Sequence, residues 1–322
     1  MNVSTMAEIQ YINMSMVNKI AVITPIMHLD GVYELLQTKG DVFVLEEGNK
    51  SEVRELLLTE HINTILCNPN QQTYKIDKEL LEGTNVNLIN TCSTGMNHID
   101  VEYCKSNGIE IYSLTNDYEL INDLPSTSEL AFGLLLDLMR NITVSNNATK
   151  RDKSWDYLPF VGQQMKDFKV GIVGYGRLGK IMAKFCKAFD AEVYIYDPYS
   201  SESTIDTLEE LFEICDAVSL HVHVTNETRY MINYQLFTKG VKFLVNTSRG
   251  EIVNELDVMR ALKNGSLLGY AADVIEDEFG NLEKSPLLNL ENPEINCILT
   301  PHIGGMTIQG QTKAYKWAVN KL

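Results

Sequence analysis

Basic residues are scarce in this chain: 27 Lys and Arg stand against 43 Asp and Glu, a net charge of −16 at pH 7. So acidic a surface repels phosphate backbones and anionic lipid, which excludes nucleic acid and membrane surfaces as expected partners. Any anionic ligand must find local positive groups against that field. No apolar run reaches the ~18 residues of a membrane span. Residues 1–18 lack both a basic segment and an apolar core with a cleavage site, so no secretory leader is expected. That stretch is polar, rich in Met and Asn, and reads as a loosely ordered extension. Cys67, Cys92, Cys104, Cys186, Cys215 and Cys297 show no CxxC or ligand-like spacing. Their pattern predicts buried reduced thiols, no metal site and a cytoplasmic location. There is also no internal repeat or low-complexity tract to suggest a solenoid or a tail.

What the chain does have is length and alternation. Its 322 residues, 44% hydrophobic, suffice for two cores. Strand-like runs alternate with helical ones throughout, which predicts an α/β class with parallel, doubly wound sheets. In the first third the strands are 20–24, 42–45, 64–67, 87–91 and 110–113, with helices at 31–38, 51–60 and 101–107. This is a flavodoxin-like pattern without a glycine-rich phosphate loop. Ser126-Thr-Ser-Glu129 then spells a capping box, which explains Glu129 without a catalytic role, and opens an apolar helix to about Asn141. Residues 145–156 read as a surface connection anchored by Trp155. Six further strands follow, at 169–173, 192–196, 217–221, 243–246, 269–273 and 297–299, as in a Rossmann dinucleotide domain. The remaining helical residues, 306–322, are too few for a domain and are expected to return to the first one. The layout is therefore a substrate domain of residues 1–118 and 302–322, interrupted by a cofactor domain of residues 119–301.

The second half opens with Val170-Gly-Ile-Val-Gly174-Tyr-Gly176-Arg177-Leu178-Gly179, a buried strand running into a glycine turn and an amphipathic helix at 180–189. Gly174 permits the tight turn, Gly176 lets a pyrophosphate approach the backbone, and Gly179 lets helix and strand pack closely. Eighteen residues after Gly179, a second strand ends in Asp197, placed to accept both ribose hydroxyls. Residues 198–202 (Pro-Tyr-Ser-Ser-Glu) offer no cation for a 2′-phosphate, so the expected cofactor is NAD rather than NADP.

Three features sit at later strand ends. Thr247-Ser-Arg249-Gly250 puts a guanidinium where open sheets bind ligands, although taken alone a structural ion pair is the slightly better reading. Asp273-Val-Ile-Glu276-Asp277-Glu278 is an acidic cluster of the kind common in solvated loops. Thr300-Pro-His302-Ile-Gly304-Gly305 fixes an imidazole on a rigid turn, and a lone histidine is often merely structural. Together they form a coherent device. Hydride removal from an alcohol needs a base for the hydroxyl proton, a carboxylate to favour the resulting imidazolium, and a cation for a substrate carboxylate.

From about Asn87 to Gln311 the sequence resembles the D-isomer-specific 2-hydroxyacid dehydrogenases, whose members include D-3-phosphoglycerate and D-lactate dehydrogenases. The matching blocks are 92–100 (Cys-Ser-Thr-Gly-Met-Asn-His-Ile-Asp), 126–141, 170–179, 247–250, 272–278 and 300–305. The resemblance implies Arg249 as anchor of the substrate carboxylate, His302 as acid/base, and Glu278, rather than Glu276, as its partner. It implies that Ser93, Thr94 and Gly95 hold the substrate carboxylate through backbone N–H groups. Gly174, Gly176, Arg177, Leu178, Gly179, Asp197, Thr247, Asp273 and Gly304 would border the cofactor, with Asp273 near the nicotinamide amide. The substrate would be a small 2-hydroxy or 2-keto acid, selected by residues 68–71, 94–96 and 116–123. The assembly would be a homodimer through the cofactor domain, with the apolar 126–141 helix contributing.

The chain departs from that pattern at His223, where the family usually has proline, and at Cys67-Asn-Pro-Asn70, which is not basic. The second departure disfavours a phosphorylated substrate, although D-3-phosphoglycerate dehydrogenase-type activity stays open. A non-catalytic, NAD-responsive protein like the C-terminal-binding-protein corepressors is the alternative of another class.

Overall fold

A computed structural model describes residues 17–69, 74–278, 280 and 282–322; residues 1–16 and Asn70 and Gln71 of the sequence reading lie outside them. The chain divides into two units, one running to Asp123 and resuming at Ile308–Leu322, the other comprising Leu124–Thr307.

In the first unit the strands are β1 (Lys19–Val22), β2 (Asp41–Val44), β3 (Thr64–Cys67), β4 (Leu88–Thr91) and β5 (Glu110–Tyr112). All pair in parallel, in the order β2-β1-β3-β4-β5. Helices cover both faces, so β3 is buried along its whole length and reads as a continuous apolar run rather than an alternation. The helix Ile308–Asn320 completes this unit. Tyr315 is buried with its hydroxyl 2.8 Å from Thr24 Oγ1, and Asn90 Nδ2 donates to the Ala318 carbonyl at 2.8 Å. The same helix packs on Tyr118–Ile121, and Lys321 pairs with Asp117.

These contacts move the crossings away from the expected 118/119 and 301/302 to 123/124 and 307/308. Residues 119–123 stay with the last helix. His302 to Thr307 stay with the second unit, because the His302 N–H donates to the Asp273 carbonyl and the Ile303 and Gly304 amides donate to the Asp273 carboxylate.

The second unit contains β6 (Lys169–Val173), β7 (Glu192–Tyr196), β8 (Ala217–Leu220), β9 (Phe243–Asn246), β10 (Gly269–Ala272) and β11 (Asn296–Leu299). Its parallel order is β11-β10-β9-β8-β6-β7. Counted from its own first strand this is the first unit's order with one strand added at the far edge, not the 3-2-1-4-5-6 order typical of dinucleotide domains. The chain reverses direction across the sheet between β6 and β8, where such sheets bind ligands outside the carboxyl ends of their strands.

Two local expectations are corrected in this unit. The helix Ser126–Arg140 begins after Pro125 and has no side-chain cap. Ser126 Oγ instead lies 2.9 Å from Thr307 Oγ1, so the predicted capping box does not form. Its apolar face, Ala131, Leu134, Leu135, Leu138 and Met139, is buried in the unit's own core, and Leu130, Phe132 and Leu136 are partly buried. Beyond it, residues predicted as a connection form the helix Ile142–Asp152, none of whose residues is buried, and Trp155 is 95% exposed rather than an anchor.

Candidate active site

The nucleotide loop follows β6. Gly174 has φ 88°, and its N–H donates to the Tyr196 carbonyl at the end of β7. A β-carbon there would stand 2.7 Å from the His221 carbonyl just past β8, so the turn is wedged between the ends of both neighbouring strands. At Gly179 a β-carbon would lie 2.1 Å from the Gly174 carbonyl oxygen. Gly176, by contrast, faces open space. The helix Arg177–Ala188 starts three residues earlier than expected, directly after Gly176, and has no side-chain cap. Its first amides therefore lack intrahelical partners and present the positive end of the helix dipole to a ligand beside Gly176.

Arg177 spends its guanidinium on the Leu124 carbonyl at 2.6 Å, leaving its backbone N–H for a ligand. Asp197 lies beside the loop: one carboxylate oxygen accepts the Tyr175 N–H at 2.7 Å, the other the Tyr199 N–H at 3.0 Å. Each oxygen keeps a second lone-pair direction for a hydroxyl donor. Thr247, at the end of β9, has a buried hydroxyl without a partner. An orphaned polar atom of this kind and the open approach to the backbone at Gly176 fit a dinucleotide lying along the strand ends.

The acid/base candidates meet in the same unit. His302 follows β11 and Glu278 follows β10, adjacent parallel strands. The imidazole Nδ1 is 3.0 Å from both Glu278 oxygens. In the neutral ring Nδ1–H donates to the carboxylate, which leaves the lone pair on Nε2. Glu276 is elsewhere, paired with the Tyr230 hydroxyl. His302 itself has φ 54°, a left-handed conformation uncommon for a residue with a β-carbon. The cause is Asp273, which gathers the turn. Its Oδ1 accepts the Thr300 hydroxyl at 2.5 Å and the Ile303 N–H at 2.8 Å, and its Oδ2 accepts the Gly304 N–H at 2.7 Å. Burial raises the Asp273 pKa and these donors oppose the rise.

Arg249 lies just beyond β9, and its Nη1 donates to the Ser248 carbonyl at 2.6 Å. At Gly250 a β-carbon would fall 2.0 Å from the Ile275 carbonyl carbon and 2.2 Å from the Glu276 nitrogen, so the arginine turn rests directly on the acidic loop. A residue missed in the sequence reinforces that contact. Glu255, buried at the start of the helix Glu255–Asn264, accepts the Glu276 N–H at 2.7 Å and the Ser285 hydroxyl at 3.2 Å. Burial raises its pKa. The sequence signal was an acidic residue in the first helical turn, which ordinarily signifies dipole compensation alone. His223 is exposed, and its carbonyl accepts the Thr228 hydroxyl at 2.6 Å. Ser93, Thr94 and Gly95 follow β4 in the first unit, and Ser93 Oγ donates to the Gly95 carbonyl at 2.8 Å.

Two family descriptions match the chain: "D-isomer specific 2-hydroxyacid dehydrogenase, NAD binding domain" over residues 132–304, and the catalytic domain of the same family over residues 20–118. A glyoxylate reductase of Thermofilum pendens is 32% identical over 304 residues, covering 89% of this chain and 86% of that protein. A D-3-phosphoglycerate dehydrogenase of Bacillus subtilis is 28% identical over 88% of this chain, which spans only 53% of its length. Among solved structures, D-lactate dehydrogenase from Aquifex aeolicus, complexed with NAD and lactic acid, superposes with a TM-score of 0.74 at 25% identity, covering 94% of both chains.

Proposed function

The chain belongs to the D-isomer-specific 2-hydroxyacid dehydrogenase family, and on that premise we propose that His302 is the acid and base with which it interconverts a small D-2-hydroxyacid and its 2-keto acid. NAD, when bound, would supply the hydride acceptor for oxidation of the alcohol carbon and, in its reduced form, the hydride donor for the reverse reaction. His302 Nε2 takes the hydroxyl proton in oxidation and gives it back in reduction. Glu278 stabilises the imidazolium and holds the productive tautomer. Arg249 pairs with the substrate carboxylate and polarises the neighbouring carbonyl. Ser93, Thr94 and Gly95 hold the same carboxylate through backbone N–H groups. Gly174, Gly176 and the amides of Arg177, Leu178 and Gly179 take the pyrophosphate, and Asp197 takes the ribose hydroxyls. Thr247, Asp273 and Gly304 border the nicotinamide; three of Asp273's four lone-pair directions are filled, leaving one for the amide.

The observation that carries this reading is the His302–Glu278 contact, 3.0 Å to both oxygens, in the unit that also carries the glycine loop. The test is NADH oxidation with glyoxylate, pyruvate, hydroxypyruvate and phosphohydroxypyruvate. His302→Asn is expected to lose about a thousandfold in kcat, and Arg249→Gln to raise KM and lower kcat together. Unchanged turnover in both variants would remove the assignment. An uncharged, short-tailed acid is the preferred substrate, because Cys67-Asn68-Pro69 supplies no cation for a phosphate. Preference for phosphohydroxypyruvate would reverse that choice.

A homodimer through the second unit is also part of the proposal, with a further surface beside the Ser126–Arg140 helix. Trp155, Tyr157, Leu158 and Val161 form a run of exposed apolar side chains next to a helix that buries none of its own. Trp155→Glu should shift the sedimentation coefficient to that of a monomer. A cytoplasmic setting is supported by six unpaired thiols, five of them buried.

A further inference from the structure

The first unit contains a buried histidine that the chemistry above leaves unused. His98 is 6% exposed and lies below the loop after β4. Its Nε2 is 3.1 Å from Thr91 Oγ1, which is 2.9 Å from Ser93 Oγ, which donates to the Gly95 carbonyl at 2.8 Å. A hydroxyl has one proton. Ser93 spends its own on Gly95, so Thr91 must donate to Ser93, and His98 must donate to Thr91 through Nε2–H. The direction of the whole chain follows from its last bond.

The other ring nitrogen agrees: Nδ1, the bare acceptor in that tautomer, is buried without a partner. Burial lowers the ring's pKa to about 4, so it stays neutral and the polarity of the chain does not invert near neutral pH. Cys67 Sγ lies 3.5 Å from Nε2, but burial pushes its thiol up to about 12, so the two are not a thiolate–imidazolium pair.

A second hydroxyl pins the adjacent peptide: Thr115 Oγ1 donates to the Thr94 carbonyl at 2.8 Å. In a planar trans peptide the C=O and the following N–H point in opposite directions. Fixing the carbonyls of Thr94 and Gly95 on protein hydroxyls therefore aims the N–H groups of Gly95 and Met96 away from those hydroxyls. Neither N–H has an acceptor among the described residues. Both amides are therefore available as donors to an acceptor such as a carboxylate.

We propose that His98 is a positioning residue: through Thr91 and Ser93 it sets the orientation of the peptide that presents the Met96 N–H to the substrate carboxylate. The role rests on the reading of residues 93–95 as holders of that carboxylate.

The tautomer gives a selective test, because glutamine places its amide nitrogen where Nε2 stands and asparagine where Nδ1 stands. His98→Asn and Thr91→Val should raise KM for the keto acid about tenfold with kcat changed less than about threefold and NADH affinity unaltered; His98→Gln should stay within about threefold of the wild type. Thr115→Val, which frees the Thr94 carbonyl without touching the chain from His98, should also raise KM. Equal KM in His98→Asn and His98→Gln, or a wild-type KM in Thr91→Val, overturns the role of His98. If Thr115→Val still raises KM in that case, the loop reading survives. Silence in all four variants removes both.

Discussion

The two units have the same strand order over five strands and the same reversal at their centre, yet they are equipped differently at the first turn. In the second unit β6 reaches its helix through Gly174-Tyr175-Gly176; no β-carbon fits at Gly174 or, inside the helix, at Gly179, whereas Gly176 faces open space. In the first, the corresponding connection runs from Ile23 to Gly31 and carries Thr24, whose hydroxyl is taken by Tyr315. The same position in the same topology is therefore a ligand cradle in one unit and a seat for the chain's own last helix in the other. Topology supplies the place, and the residues of one turn decide what occupies it.

The sharpest way to break this comparison is Gly179→Ala. A methyl 2.1 Å from the Gly174 carbonyl forces helix and loop apart, and measurable NADH binding should disappear in a fluorescence titration. Retained affinity would mean that the close approach is incidental. Next in size is acid sensitivity. His98 is neutral in the fold, with a pKa lowered from 6.5 to about 4 by burial. Because its folded pKa is depressed, its contribution is fully present above pH 6.5 and is lost as pH falls towards about 4, amounting to at most about 3 kcal/mol. Urea midpoints measured across that window should fall, and His98→Gln should flatten the fall. Asp273, raised by burial, acts with the opposite sign: its stability term is full at low pH and is lost as pH rises through its folded pKa.

Asp197→Ala should weaken NADH by about tenfold and narrow its advantage over NADPH, since a ribose acceptor is lost and Tyr175 N–H loses its partner. The smallest effect is expected at Gly31, the first unit's glycine before its first helix. Its φ is 72° and the nearest atoms are the flexible end of Lys316, so Gly31→Ala should cost about 1 kcal/mol and leave NADH binding intact.

The sequence was most readable where one physical requirement dominates. β3, β6 and β9 were located to the residue because buried parallel strands must be continuously apolar. The glycine loop was readable because few residues tolerate φ 88° or a 2.1 Å approach. Legibility failed where two requirements share one pattern. Ser126 and Glu129 have capping-box spacing, but Pro125 already begins the helix and Ser126 turns to Thr307, a partner 181 residues away. Trp155 looked like an anchor because tryptophans usually are buried, whereas here it is almost wholly exposed. Glu255 and His98 were invisible as functional neighbours. Their partners, Glu276, Ser285 and Thr91, are chosen by the folding of loops rather than by periodicity.

The return of the last helix to the first unit has a consequence in time. During synthesis, Thr24 and Asn90 emerge long before Tyr315 and Ala318, the groups that satisfy them. The intervening Leu124–Thr307 unit takes roughly ten to forty seconds to translate at ~5–20 residues per second. Nascent chains arrested before residue 308 should therefore be cut by protease within residues 17–123 while the glycine-loop unit resists. The ribosome would release a folded nucleotide-binding unit tethered to a β-sheet still waiting for its final helix.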